Sequence, residues 1–319
     1  MKENLGIGSL KGYMNFVLKG FCMGAADVIP GVSGGTMAFI LGIYEKLIGS
    51  ISSFDLHFLR LFLSLRFREA FEHVSLAFLA SLGTGILIAV FSMARVLSWL
   101  LLNRPVLIWS FFFGLIVASV YTVSRHIKAW RIINILWAAF GALITYLLVG
   151  MVPATTPDSP WFLFLSGAVA ICAMILPGIS GAFILVLLGK YLFVLEAVNN
   201  RDFLTLFTVA AGAALGLVAF SRLLKWLFKM HYDLIVALLT GLMIGSLRKV
   251  WPWKNIIKTV MDEKGHVVSS IQHNFLPSQW DMETSVALVL ALTGFLLVIC
   301  LSIATRDHKQ VGKKTGLES

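Results

Sequence analysis

Long apolar segments separated by short polar connections take up most of this 319-residue chain. A helix needs about 20 predominantly apolar residues to cross the hydrocarbon core of a bilayer, and several of these segments reach that length. The sequence therefore predicts an all-α polytopic membrane protein. The apolar segments are 13–49, 74–101, 106–124, 132–150, 162–198, 203–228, 232–248 and 284–304, of which 13–49 and 162–198 are interrupted.

Composition and charge agree with this fold class. Hydrophobic residues make up 58% of the chain and charged residues only 13%, whereas soluble domains are about 25% charged. The net charge of +10 comes from basic residues between the apolar segments, where they orient a membrane protein, so no nucleic-acid partner is predicted.

The sequence shows no metal-binding or nucleotide-binding motif. The seven histidines lack metal-ligand spacing, and there is no GxxxxGK[ST] motif. We expect no metal and no cofactor.

The two interrupted segments are copies of each other. "VIPGVSGGTMAFILGIY" (28–44) aligns with "ILPGISGAFILVLLGKY" (175–191) at a constant offset, since 177 − 30 = 147. A second match, "GLIVAS" (114–119) with "GLMIGS" (241–246), follows at another constant offset, since 241 − 114 = 127. Matches that include proline, serine and glycine in the same order predict a tandem duplication.

The two offsets divide the chain into two repeats, 1–150 and 151–319. The first repeat has about twenty extra residues, which the segment 52–73 accounts for. This segment mixes phenylalanine and leucine with arginine and glutamate, a pattern typical of an interfacial helix. The second repeat has instead a long polar connection, 249–283, in which 262–266 is expected to form the turn of a small hairpin.

Each interrupted segment is expected to be a re-entrant hairpin that enters and leaves the membrane on one side. Each repeat then contains one hairpin and three transmembrane helices, and an odd number of crossings gives the repeats inverted topology. With both termini in the cytoplasm, the basic connections 46–68, 125–131 and 225–229 also lie inside, as the positive-inside rule requires. The short outside connections hold only Arg104 and Arg201, whereas the long loop 249–283 places more basic residues outside.

The interruptions have a chemical consequence within the membrane. Proline and glycine break the helix, and such a break is tolerated only where protein or a wet cavity receives the polar backbone. The helix that begins after the break presents free N–H groups, which bind anions. The predicted helix breaks are Pro30, Gly31, Pro177 and Gly178, and the predicted anion-binding residues are Ser33, Gly34, Gly35, Thr36, Ser180 and Gly181.

Four charged residues complete the candidate site. Asp27 and Glu45 flank the first break, and the second copy has apolar residues at both positions. An intramembrane carboxylate is a functional candidate, so both are predicted to act in coupling or gating, with a proton or a sodium ion as the candidate coupling ion. Arg95 and Arg222 match across the repeats and are predicted to contact phosphate; anchoring at lipid headgroups is the alternative.

The stretches "GAADVIPGVSGGTMAFILGIYE" (24–45) and "LPGISGAFILVLLGKY" (176–191) resemble the PopT-like undecaprenyl phosphate translocases. The resemblance implies a protein of the bacterial cytoplasmic membrane that returns undecaprenyl phosphate from the outer to the inner leaflet. This flippase activity recycles the lipid carrier for peptidoglycan and other envelope polymers. The family motif falls on Asp27, Pro30, Gly31, Ser33, Gly34, Gly35 and Thr36.

The sequence allows two other functions. An ion-coupled transporter or channel for a small soluble anion would use the same broken helices. A membrane enzyme similar to undecaprenyl pyrophosphate phosphatases is disfavoured, because those enzymes carry an arginine in a related loop where this chain has Gly34 and Gly181. The sequence therefore predicts a non-enzymatic transporter.

Overall fold

The computed structural model describes residues 10–28, 33–154, 156–261, 267–277 and 280–314. Within these ranges the chain is almost entirely helical. Its elements are α1 (Leu10–Asp27), α2 (Gly34–Ile40), α3 (Tyr44–Ser52), α4 (Leu56–Leu63), α5 (Phe67–His73), α6 (Leu76–Asn103), α7 (Pro105–Ser124), α8 (Ile132–Val149), α9 (Pro160–Ile175), α10 (Gly181–Leu187), α11 (Tyr191–Asn199), α12 (Phe203–Val250), β1 (Lys254–Met261), β2 (Val267–Asn274) and α13 (Met282–Lys314).

Five helices of the described chain are long and apolar enough to cross a membrane: α6, α7, α8, α12 and α13. The 48 residues of α12 would measure about 72 Å as one straight helix, roughly twice the thickness of the hydrocarbon core. Non-helical dihedral angles at His231 divide α12 by a kink. Segments 203–230 and 232–250 each have the length of one crossing. The chain is thus an all-α polytopic membrane protein, as predicted.

Each predicted hairpin contains a long helix, a break and a short helix. In the first, α1 packs against α2; in the second, α9 packs against α10. A turn then leads into a third helix, and the axes of α10 and α11 differ by 104°. Gly42 and Gly189 lie at these turns with φ angles of +67° and +64°. This conformation strongly favours glycine, which explains why both copies keep it.

Segment 52–73 and connection 249–283 are not long transmembrane helices. The predicted interfacial segment 52–73 contains two short helices, α4 and α5, because Leu65 adopts a left-handed conformation with a φ of +57° between them. The long connection contains the antiparallel hairpin formed by β1 and β2, as expected for 249–283, although the predicted turn 262–266 lies outside the described residues. This hairpin is the one addition to an otherwise helical fold within the described ranges.

Glycines set the closest approaches between helices, as small residues do in membrane proteins. A Cβ atom on Gly20 would lie 2.1 Å from the Leu82 carbonyl oxygen, and one on Gly167 would lie 2.2 Å from the Val209 carbonyl oxygen. These contacts join α1 to α6 and α9 to α12. They recur at the two offsets that relate the motifs in the sequence.

A second set of glycine contacts joins the two halves of the chain. A Cβ atom on Gly114 in α7 would lie 1.8 Å from the Ala291 carbonyl oxygen in α13. One on Gly241 in α12 would lie 2.0 Å from the Ala138 carbonyl oxygen in α8. The helices of the two halves therefore pack directly against each other.

The short helices α2 and α10 lead to opposite ends of the molecule. At the end of α2, the Phe39 ring lies 6.1 Å from the His126 ring, just after α7. At the end of α10, the Leu187 carbonyl accepts a hydrogen bond from the Ala154 N–H, just after α8. Since α8 has 18 residues, about 27 Å separates these two contacts.

Candidate functional site

The two breaks meet inside the protein. The Ser33 hydroxyl donates a hydrogen bond to the Met174 carbonyl oxygen at 2.9 Å, and the Leu176 carbonyl oxygen lies 3.3 Å away. In the other direction, the Gly178 N–H donates to Thr36 Oγ1 at 3.0 Å. Ser33 and Thr36 are fully buried. Side chains of the first segment thus satisfy backbone groups of the second break, as burial requires.

The first turn of α2 binds the Asp27 carboxylate, which lies at the end of α1. The Gly34 N–H donates to Asp27 Oδ1 at 2.6 Å, a short charge-assisted contact, and the Gly35 N–H donates to the Ser33 hydroxyl at 3.1 Å. Gly34 also lies so close to Asp27 that a Cβ atom there would be 2.3 Å from Oδ2. In this conformation, Asp27 takes the position that an anionic ligand would take at the Gly34 N–H.

The second break is equally tight but lacks a carboxylate. Gly178 has a φ of +90°, and a Cβ atom there would lie 3.0 Å from the Leu242 carbonyl oxygen of α12. A Cβ atom on Gly181 would lie 2.6 Å from the Ala170 carbonyl oxygen. Ser180 is nearly buried, and its side chain makes no capping hydrogen bond to α10. Of the predicted helix breaks, Pro177 and Gly178 are described, whereas Pro30 and Gly31 lie outside the described residues.

The other predicted site residues lie away from this junction. Glu45 is exposed at the start of α3. Arg95 is exposed on α6. Arg222 donates from Nη2 to the Phe54 carbonyl oxygen at 2.6 Å and from Nε to the Ser52 carbonyl oxygen at 3.4 Å. Its guanidinium therefore ties α12 to the end of α3.

A cluster of basic residues on α12, predicted only to orient the chain, lies beside Arg222. Lys225 and Lys229 line an open depression beside Arg222, together with Ser52, Asp55 and Trp226. The spacing of 222, 225 and 229 places three cations on one helix face, a signal that was present in the sequence. Within the described ranges, no group of three or more histidine, cysteine, aspartate or glutamate side chains has the arrangement of a metal site.

Comparison with known proteins identifies the family. The profile of the undecaprenyl phosphate translocase-like family matches residues 23–268, which include both breaks. A polyprenyl-phosphate transporter of Vibrio cholerae is 41% identical over 300 residues, which cover 92% of this chain and 97% of that protein. A polyprenyl-phosphate transporter of Staphylococcus aureus is 32% identical over 257 residues, 74% of this chain and 85% of that protein. No solved structure matches the chain. The resemblance seen in the motifs is confirmed: the chain belongs to the undecaprenyl phosphate translocase-like family.

Proposed function

We propose that the protein carries undecaprenyl phosphate from the outer to the inner leaflet of the bacterial cytoplasmic membrane. This transport would return the lipid carrier for another round of cell-wall polymer synthesis. The names of the two relatives support a polyprenyl phosphate as substrate. The buried junction of the two breaks is the proposed headgroup site, because it places polar backbone and an acidic group inside the bundle. A charged headgroup must pass through such a polar region.

The proposed architecture is two inverted repeats, 1–150 and 151–319, each with a re-entrant hairpin and three transmembrane helices. Glycine contacts that recur at the repeat offsets support the duplication. Support for inversion comes from α2 and α10, which start at one junction and lead to opposite ends. Inverted repeats with broken helices near the midplane are a recurring plan of secondary transporters. In such a plan, one repeat moves against the other to expose the site alternately to each side.

In this proposal, Asp27 gates the phosphate site. A phosphate oxygen would replace the Asp27 carboxylate at the Gly34 N–H and would also contact Ser33, Gly35 and Thr36. The corresponding residues of the second break, Ser180 and Gly181, would form the other half of the site. A proton or a sodium ion that neutralises Asp27 would release the Gly34 N–H, which couples ion binding to headgroup binding. Glu45, which is exposed, is the second candidate for gating.

Arg95 and Arg222 are proposed to attract the headgroup at opposite sides of the membrane. Arg95 is exposed towards the end of α6, where a cation would favour capture from the outer leaflet. Arginine has five N–H donors. In Arg222, Nε and Nη2 donate to backbone carbonyls, which leaves further N–H groups for an anion. Its bound nitrogens hold the guanidinium in a fixed orientation, which lowers the entropic cost of binding an anion.

Leaflet-resolved detection of undecaprenyl phosphate in cells tests this function. We expect the outer-leaflet fraction of the lipid to rise when the protein is depleted and to fall when it is restored. Proteoliposomes that contain the purified protein should also equilibrate undecaprenyl phosphate between leaflets, while protein-free liposomes do not. An unchanged distribution in both experiments would rule out transport of this lipid.

The same preparation separates the two alternative functions. A carrier of small soluble anions would bind inorganic phosphate or chloride in competition with the lipid, whereas we expect neither ion to displace undecaprenyl phosphate. A phosphatase would release inorganic phosphate from undecaprenyl pyrophosphate. We expect no release, since glycine occupies the position of the phosphatase arginine in both loops.

Orientation is tested by thiol labelling in a background where Cys22, Cys172 and Cys300 are replaced by serine. Ser64 lies between α4 and α5 and Asn103 ends α6, and both are exposed. If both termini are cytoplasmic, an impermeant maleimide should label Asn103→Cys in intact cells and Ser64→Cys only after permeabilisation. Labelling of Ser64→Cys in intact cells would contradict the hairpin topology.

A further inference from the structure

We propose that the depression between α12 and the end of α3 is a docking site for the phosphate monoester headgroup of a lipid. The inference rests on the proposed function and adds to it a surface site, distinct from the buried junction. The depression is lined by Ser52, Asp55, Arg222, Lys225, Trp226 and Lys229. It lies at the end of the molecule that is proposed to face the cytoplasm, where a returned lipid would be released.

The helix geometry concentrates positive charge at this place. Arg222, Lys225 and Lys229 follow an i, i+3, i+7 spacing, so they share one face of α12. Arg222 is fixed by its bonds to the Ser52 and Phe54 carbonyls. The two lysines are exposed beside it. A rigid guanidinium and two adaptable ammonium groups together suit the three oxygens of a phosphate monoester.

The acidic group at the edge of the depression is already engaged. Asp55 accepts a hydrogen bond from the Phe58 N–H at 2.8 Å and pairs with His73 Nε2 at 3.2 Å. Within the described part of the chain, no carboxylate forms an ion pair with Lys225 or Lys229. The local charge is therefore positive, and an external anion is the natural partner for the two lysines.

The surroundings indicate a lipid as the source of the phosphate. Trp226 projects from the depression with 56% of its surface exposed, and Leu223 and Met230 beside it on α12 are 47% and 57% exposed. Tryptophan is enriched where hydrocarbon meets headgroups. A charged depression that opens onto such an apolar surface fits a headgroup in the depression with its chain along α12. Free phosphate would use only the charged part.

Binding measurements on the purified full chain test the site. The probes are undecaprenyl phosphate, dioleoyl phosphatidic acid and undecaprenol, with inorganic phosphate as competitor. The Lys225→Gln/Lys229→Gln variant should bind both phosphate lipids about 30-fold more weakly, since each lysine near a membrane surface contributes to anion binding. Undecaprenol binding should not change. The control variant Lys128→Gln/Arg131→Gln removes the same charge from exposed residues of the same end and should bind normally.

The outcomes separate this inference from the proposed function. Unchanged binding of both phosphate lipids by the double variant would overturn the docking site, as would an equal loss in the control variant. Displacement of the lipids by inorganic phosphate would overturn the choice of a lipid as occupant. If the wild type binds phosphatidic acid at these lysines but binds no undecaprenyl phosphate, the docking site stands and the proposed function fails. A Lys225→Arg/Lys229→Arg variant that restores binding would support a role for charge.

Discussion

Gly35→Ala is expected to abolish transport and to lower the stability of the protein. A Cβ atom on Gly35 would lie 2.3 Å from the Ile175 carbonyl oxygen and 3.2 Å from the Met174 carbonyl oxygen. Both contacts are with backbone at the end of α9, which cannot rotate away. The methyl group must therefore push the two breaks apart, at an expected cost of about 1–3 kcal/mol or more. This separation would also break the hydrogen bonds that Ser33 and Thr36 make across the junction.

A matched control is available in Gly83→Ala. Gly83 lies within α6, and nothing would be within 4 Å of a Cβ atom there. Alanine favours a helix over glycine by about 1 kcal/mol, so this variant should keep full transport and normal or higher thermal stability. Thermal unfolding in detergent and lipid movement in proteoliposomes measure both properties. Full transport by Gly35→Ala would show that the close contact of the two breaks is not needed.

Much of the fold could be predicted from the sequence, because a membrane leaves few choices to an apolar chain. The lengths of the apolar segments predict α6, α7 and α8 closely, and segment 284–304 predicts the apolar part of α13, which continues to Lys314. The basic residues after 224 predict the division of α12, which occurs at His231. The paired proline and glycine motifs predict the breaks in both hairpins. Each of these predictions depends on a local property, such as hydropathy, charge or backbone freedom.

The hydrogen-bond partners that side chains find on distant helices could not be predicted from such local properties. Ser33 was predicted to bind an anion at the start of α2; in the structure it caps α2, and its hydroxyl also reaches Met174, which lies 141 positions along the chain. Only the packing of the two hairpins creates that contact. The phosphate contact of Arg222 stays a prediction, but the sequence does not indicate that its position beside the end of α3 directs two of its nitrogens to backbone carbonyls. A side chain with several donors takes whichever acceptors the tertiary structure provides.

The division between α4 and α5 shows the same limit. Leu65 has no intrinsic preference for the left-handed conformation that ends α4. The surrounding aromatic contacts, such as Phe62 against Phe67 at 5.3 Å, accompany this turn. An amphipathic pattern over 52–73 predicts an interfacial location but does not locate a turn that depends on such packing.

Asp27→Asn is expected to reduce transport by about 10-fold or more, which corresponds to an increase of roughly 1.4 kcal/mol in the barrier. Asparagine has nearly the same shape, and its amide oxygen still accepts a hydrogen bond from the Gly34 N–H. What it loses is the negative charge, which in the proposed mechanism competes with phosphate and binds the coupling ion. Because the hydrogen bond persists, expression and thermal stability should stay close to those of the wild type.

Two further variants distinguish the role of the Asp27 charge from that of its hydrogen bond with the Gly34 N–H. Asp27→Ala removes the acceptor as well and leaves the Gly34 N–H buried without its partner, so this variant should also lose about 1–3 kcal/mol of stability. Glu45→Gln removes the carboxylate of the second gating candidate and should impair transport less than Asp27→Asn does, since Glu45 is exposed at the start of α3 whereas Asp27 binds the Gly34 N–H at the junction. A structural role alone would leave Asp27→Asn fully active and only Asp27→Ala defective. That pattern would remove the Asp27 charge from the transport cycle and leave it as the carboxylate that starts α2.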